Sequence, residues 1–244
     1  RQSCILLIIL FSSNFLIGQF SKEQYFEYGK KAYENGFLIT AVENFTKVIE
    51  SDSLHSDAYY YRAKTYIKGE FTDSSPRAIR DYMKCIAIDS LKNYWEAYFY
   101  IARNLYTRNA KYISFFDKAL SFQVNDIEII ISRGFANQWW GKNEEAIKDF
   151  NLALTINPKN IRALISRGTS LINIDVELAL KDLRKARKLD KDNPRIYYAI
   201  GDALVVYNQL GHKKNYCKYY KKASKLGYRS YNISMKNCGI KHKE

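Results

Sequence analysis

Residues 127–160 read IEIIISRGFANQWWGKNEEAIKDFNLALTINPKN: two apolar-periodic segments flank Trp140-Gly141-Lys142-Asn143, and Asn157-Pro158 closes the second. Small residues stand at Gly134, Ala146 and Ala153, where the two helices of a hairpin would have to touch. Apolar residues spaced by three and four share one face of a helix, so each segment has a side to bury. The pattern then returns, with Ser132-Arg133-Gly134 recurring as Ser166-Arg167-Gly168, 34 residues further on.

Working outward, six such hairpins can be laid along the chain, over residues 22–55, 56–92, 93–126, 127–160, 161–193 and 194–227. The first helix of each carries a small residue at the crossing: Gly29, Ala63, Ala102, Gly134, Gly168 and Gly201. Four residues before it comes a bulky one, Tyr25, Tyr59, Tyr98, Ile130, Leu164 or Tyr197. The second helix carries Ala41, Ala78, Tyr112, Ala146, Ala179 and Tyr216 at the matching contact. Seven residues later come Val48, Cys85, Ala119, Ala153, Ala186 and Ala223. Between them an aromatic or leucine recurs, as Phe45, Tyr82, Phe116, Phe150, Leu183 and Tyr220. A small residue lets two backbones approach, and the ring fills the space beside it. One hairpin cannot bury its apolar face alone, so neighbours stack.

The pattern resembles the tetratricopeptide repeat over residues 21–227. The resemblance implies an all-α, right-handed solenoid of about six helix-turn-helix repeats. The match is uneven. Extra residues fall around Thr72-Asp73-Ser74-Ser75-Pro76, Tyr112 and Tyr216 replace alanine, and Gly211-His212-Lys213-Lys214 is inserted in the last repeat. Residues 228–244 are expected to form a capping helix, over Arg229–Asn237, and a basic tail. A terminal repeat needs such a cap with a polar outer face.

At 47% hydrophobic residues, the 244-residue chain can bury a core, and 3 prolines suit a mostly helical protein. The first 20 residues differ from the rest: Arg1, an apolar run from Cys4 to Phe11, then Ser12-Ser13-Asn14 and Gly18-Gln19. This reads as a secretory signal peptide. The alternative is an uncleaved anchor, although a bilayer span needs about 20 apolar residues. The chain is accordingly expected in an exported compartment: periplasmic, envelope-associated or extracellular, of the bacterial type.

No glycine-rich phosphate loop, GxSxG elbow or HExxH pair is present, and His55, His212 and His242 lie apart from ligand-spaced partners. No catalytic residue, metal site or cofactor is expected. The resemblance implies a non-catalytic scaffold that holds a protein or peptide segment in the groove lined by first helices. The candidate groove residues are Phe26, Lys30, Tyr33, Tyr60, Lys64, Ile67, Phe99, Arg103, Tyr106, Phe135 and Trp139. In the first three repeats they form a stripe of aromatic, basic and apolar side chains, suited to a segment with acidic and apolar groups. The alternative is that these rings pack on neighbouring helices and the basic tips are only solvated. Some family members grip a C-terminal carboxylate with Lys and Asn. Phe26 and Lys30 occupy those places here, which argues against that mode.

Net charge is +14, and residues 212–244 hold ten basic side chains against Glu244 alone, so +9 of it lies there. Lys214, Lys218, Lys221, Lys222 and Lys225 would form a basic surface with interleaved tyrosines. Such a surface could dock on an anionic membrane or polymer; the bland alternative is a solvated end, and nucleic acid is not expected for an exported chain. Some exported members of the family end with a cysteine pair around a KAxxLG-like stretch, here Lys222–Gly227. The resemblance thus implies a possible Cys217–Cys238 bridge, worth roughly 3 kcal/mol for a loop of about 20 residues; two free thiols are the alternative.

Overall fold

A computed structural model of the chain describes residues 20–70, 76–229 and 233–240. Among them there are thirteen α-helices, one 3-10 turn and no strand. Residues 1–19 of the expected signal segment, the extra residues at 72–75 and the last tail lysines, Lys241 and Lys243, lie outside the described residues. No described helix is long and apolar enough to cross a membrane.

The chain divides into two compact units between Ile101 and Ala102. In the N-terminal unit are α1 (Lys22–Glu34), α2 (Leu38–Ser51), α3 (Ser56–Glu70) and α4 (Pro76–Ile88), followed by α5 (Trp95–Leu105), which straddles the division. Helix α1 packs on α2, α2 on α3 and α3 on α4. The C-terminal unit continues with α6 (Ile113–Phe122), α7 (Ile127–Trp139), α8 (Asn143–Ile156), α9 (Ile161–Leu171), α10 (Val176–Leu189), α11 (Pro194–Gln209), α12 (Cys217–Lys225) and α13 (Ile233–Asn237). There too each helix packs on the next from α6 to α13, and first helices touch, α7 with α9 and α9 with α11. Within each unit this is the stacking of successive antiparallel helix pairs.

The small residues do what their spacing implies. A methyl added at Gly29 would meet the Phe45 ring at 2.6 Å, and one at Gly134 would meet Phe150 at 2.6 Å. Gly201 faces Tyr220 at 2.5 Å, and Gly168 faces Leu183 at 2.9 Å. Ala41, Ala146 and Ala179 on the partner helices are fully buried, as are Ala63 and Ala78 of the second hairpin. The larger core joins Ile130, Ile131, Phe150, Leu164, Leu180, Leu183, Ile196 and Ile200 in the C-terminal unit. Cys85 is buried on α4 and gives its thiol hydrogen to the Tyr82 carbonyl, at 3.1 Å; burial pushes that thiol up to about 12.

Helix ends follow local chemistry. Ser21 and Gln24 form a reciprocal capping box on α1, and Asp126, Asn160, Asp175 and Asn193 accept from the first-turn amides of α7, α9, α10 and α11. The turns after four of the six second helices, α2, α4, α8 and α10, repeat one device. Asp52, Asp89, Asn157 and Asp190 each accept a hydrogen bond from an amide two residues on, at 3.0–3.2 Å.

Three elements differ from expectation. Tyr112 is not inside the third repeat's second helix; it ends a 3-10 turn, Ala110–Tyr112, and α6 starts at Ile113. Tyr216 likewise precedes α12, which the inserted loop shortens to 9 residues. The cap expected over Arg229–Asn237 is a helix of 5 residues, α13.

Candidate functional site

An unforeseen set of ion pairs frames the first helices. Arg62 on α3 donates from Nε and Nη2 to the two oxygens of Asp81 on α4, at 2.7 and 2.9 Å, and from Nη1 to Thr46 on α2 at 3.1 Å. Arg167 on α9 repeats this with Asp182 on α10, at 2.7 Å twice, and with Asn151 on α8 at 2.7 Å. Arg133 on α7 clamps Asp149 on α8 at 2.5 Å and reaches Asp117 on α6 at 2.6 Å. Each arginine thus ties its own hairpin to the previous one. Burial alone would disfavour the Arg62 charge, but the hydrogen bonds and charge of Asp81 outweigh it and raise the guanidinium's pKa. The signal was visible: each arginine precedes the small residue, and each aspartate follows the second-helix alanine by three.

On the first-helix face of the N-terminal unit, cations lie over rings on successive helices. Lys30 sits 5.4 Å from the Phe26 ring, Lys64 5.4 Å from Tyr60 and Lys68 4.6 Å from Tyr33. Phe26 and Tyr33 also contact Tyr61 of the next first helix, with centroids 5.7 and 6.4 Å apart. The candidate rings are therefore half-buried between helices and half in the groove. The basic row is already paired. Lys30 donates to Glu27 at 2.9 Å, a hydrogen bond that raises its pKa, and Lys64 meets Glu96 of α5 at 2.7 Å. The Tyr60 hydroxyl donates to the same Glu96 carboxylate at 2.8 Å. Burial first, then the Glu96 charge, pushes the Tyr60 phenol well up, so it stays a neutral donor. Ile67 and Phe99 are half-buried beside this row.

The other candidates belong to the C-terminal unit. Arg103 and Tyr106 are half-buried, and the Tyr106 carbonyl accepts from Trp140 Nε1 at 2.7 Å. Phe135 packs on Phe150 with centroids 5.7 Å apart and lies under Arg162, so it belongs more to the core than to an open groove. Trp139 is 64% exposed at the end of α7. Among the described residues, no group of three or more His, Cys, Asp or Glu could hold a metal ion.

No protein-family model matches the sequence, and no curated protein is significantly similar to it. Solved structures are similar in fold. YrrB, described as a TPR protein with an unusual peptide-binding site, superposes with a TM-score of 0.63 at 19% identity, over 82% of this chain and 100% of YrrB. MamA superposes at 0.57 with 22% identity, over 70% of this chain and 92% of its own. The form of MamA from Desulfovibrio magneticus RS-1 that runs from residue 41 to the end gives 0.57 at 13% identity, over 70% and 95%. The fold is that of the tetratricopeptide repeat. In tetratricopeptide terms α1, α3, α5, α7, α9 and α11 are first helices, and the cation-over-ring row lies on the first-helix face.

The last tetratricopeptide hairpin has two further features. Lys214, Lys218, Lys221, Lys222 and Lys225 are all exposed, and none makes an ion pair among the described residues, although Lys218 and Lys222 lie over the Tyr219 and Tyr197 rings. Cys217, at the start of α12, is bridged to Cys238 beyond α13, with Cα atoms 5.3 Å apart.

Proposed function

We propose that the chain is a non-catalytic scaffold that holds a segment of a protein partner against the first helices of its N-terminal unit. The observation that carries this is the convergence of Tyr60 and Lys64 on one carboxylate, Glu96, amid half-buried rings. A phenol and an ammonium fixed in that geometry recognise a carboxylate, and a partner's acidic side chain meets the same two donors on displacing Glu96. Phe26, Tyr33 and Tyr60 supply rigid apolar contact area beside it. The fold neighbour YrrB, whose description names a peptide-binding site, supports the same reading. The test is a pull-down from a cell-envelope fraction with the chain and with its Lys30→Glu, Lys64→Glu variant. Loss of the partner, with the circular dichroism spectrum unchanged, is expected; retention at equal yield overturns the reading.

The compartment belongs to the proposal. The Cys217–Cys238 bridge supports an oxidising, exported setting, as does the apolar start of the sequence. A second reading rests on the lysines of α12, which carry no acidic neighbour on their helix. It makes the basic end a docking surface for an anionic membrane face or polymer. Co-sedimentation with phosphatidylglycerol vesicles that falls steeply with salt, and is lost in Lys218→Glu, Lys221→Glu, Lys225→Glu, favours that reading over the groove.

A further inference from the structure

Two positions on the first helix, three before and four after its small residue, meet different neighbours at the two ends of the chain. In the first repeat they are Phe26 and Tyr33, which lie against Tyr61 of the next first helix. In the last repeat they are Tyr198 and Val205 of α11, and among the described residues no further hairpin follows. The returning tail lies there instead. Met235 and Cys238 are buried with Tyr220, and Tyr198, Val205 and Ile240 pack around them. Tyr228 stacks on Tyr198 with centroids 4.3 Å apart and planes inclined by 28°. The tail supplies to α11 what a following first helix supplies elsewhere.

Helix α13 has only 5 residues. A helix that short has no stability of its own in water, because nucleation consumes what few hydrogen bonds it makes. Two things hold it in place: the contacts of Met235, Cys238 and Ile240, and the covalent bond from Cys238 to Cys217 across 21 residues.

We propose that this face of α11 is a binding seat for a short apolar helix of a partner, that the chain's own tail is its resident occupant, and that the Cys217–Cys238 bond is the latch. While the bond is closed, any external helix competes with an occupant tethered at the seat, at a high effective concentration. An external dithiol opens it. Two electrons and two protons pass to the sulfur pair, which becomes two cysteine thiols, and the dithiol leaves as its own disulfide. Cys217, less buried than Cys238, is the sulfur a reductant reaches. The ligand chemistry follows from the occupant: one apolar side chain in a short helix, as at Met235, and two more in the turn that ends it, as at Cys238 and Ile240, with a ring upstream to stack on Tyr198. The seat lies wholly in the C-terminal unit, so it stands or falls apart from the Lys30 and Lys64 face.

The probe is a fluorescent peptide copying residues 228–240 with Cys238→Ser, titrated against the full chain. The oxidised chain is compared with an opened variant, Cys217→Ser, Cys238→Ser, Met235→Asp, Ile240→Asp, whose tail cannot reseat. The opened variant is expected to bind the peptide at least tenfold tighter than the oxidised chain, and Val205→Glu added to it removes the binding. Reduction of the parent is expected to speed amide hydrogen exchange at Met235 and Cys238 at least tenfold. Equal binding by the oxidised and opened forms, or none by an opened variant with a native circular dichroism spectrum, overturns the seat. Exchange unchanged on reduction overturns the latch.

Discussion

At Gly134 a single hydrogen decides how close two helices come. The Phe150 ring stands 2.6 Å from where a methyl would be, and both residues are buried, so the ring has nowhere to swing. Gly134→Ala gains about 1 kcal/mol of helix propensity but must displace a packed ring, which costs about 1–3 kcal/mol and more if the backbones part. The expected net effect is a lower melting temperature. On a Phe150→Ala background the clash is gone, and the same change is expected to become neutral or stabilising. An equal loss in both backgrounds, measured by thermal unfolding, would show that the ring is not the cause.

Between elements, the arginine clamps carry the largest single-residue stakes. Asp182 is 4% exposed and its two oxygens both accept from Arg167. Arg167→Ala leaves that carboxylate buried without its cation, and a loss of about 3–5 kcal/mol is expected from urea unfolding. Replacing both partners by apolar residues, Arg167→Met with Asp182→Leu, is expected to cost less than the single change. Asp57 offers a milder joint, at the start of α3. Burial pushes its carboxyl up, but hydrogen bonds from Lys92 and Tyr94, the latter at 2.7 Å, outweigh this and hold it below the usual range. A carboxyl that titrates lower in the folded chain stabilises above its unfolded pKa, and that contribution is lost as pH falls through the folded value. Asp57→Asn is therefore expected to lower the denaturation midpoint at pH 7. It should leave the midpoint nearly unchanged well below about pH 4, flattening the acid limb.

At the scale of the whole molecule, what was legible in the sequence was whatever repeats at one helix-pair period. Gly29, Gly134, Gly168 and Gly201 with their rings or leucine could be placed because spacing alone sets that contact. The clamps were missed although their residues recur too. Arginine and aspartate 15–19 residues apart read as solvated surface until two helices bring them together. The stripe residues of the first two repeats lie on first helices, but the charge balance among them was not legible. Lys64 finds Glu96 thirty-two residues away, across a hairpin whose turn the sequence leaves open. Tyr112 and Tyr216 mark the limit of periodic reading, since a turn two residues short in the third repeat and an insertion in the sixth both shift where the second helix can begin.

The clamps also bear on how such a chain can change its length. Arg133 takes Asp117 from the repeat before it, and Arg167 takes Asn151 from the repeat of Arg133. The hairpin 127–160 therefore carries both halves of the joint: an arginine facing backward and an acceptor, Asn151, facing forward. A second copy inserted directly behind the first would find, for its own Arg133, the same asparagine that Arg167 uses now. Tandem duplication of this one hairpin would therefore leave no clamp arginine without an acceptor in the repeat before it, while the apolar contacts of a second α7 on the first α8 would be new.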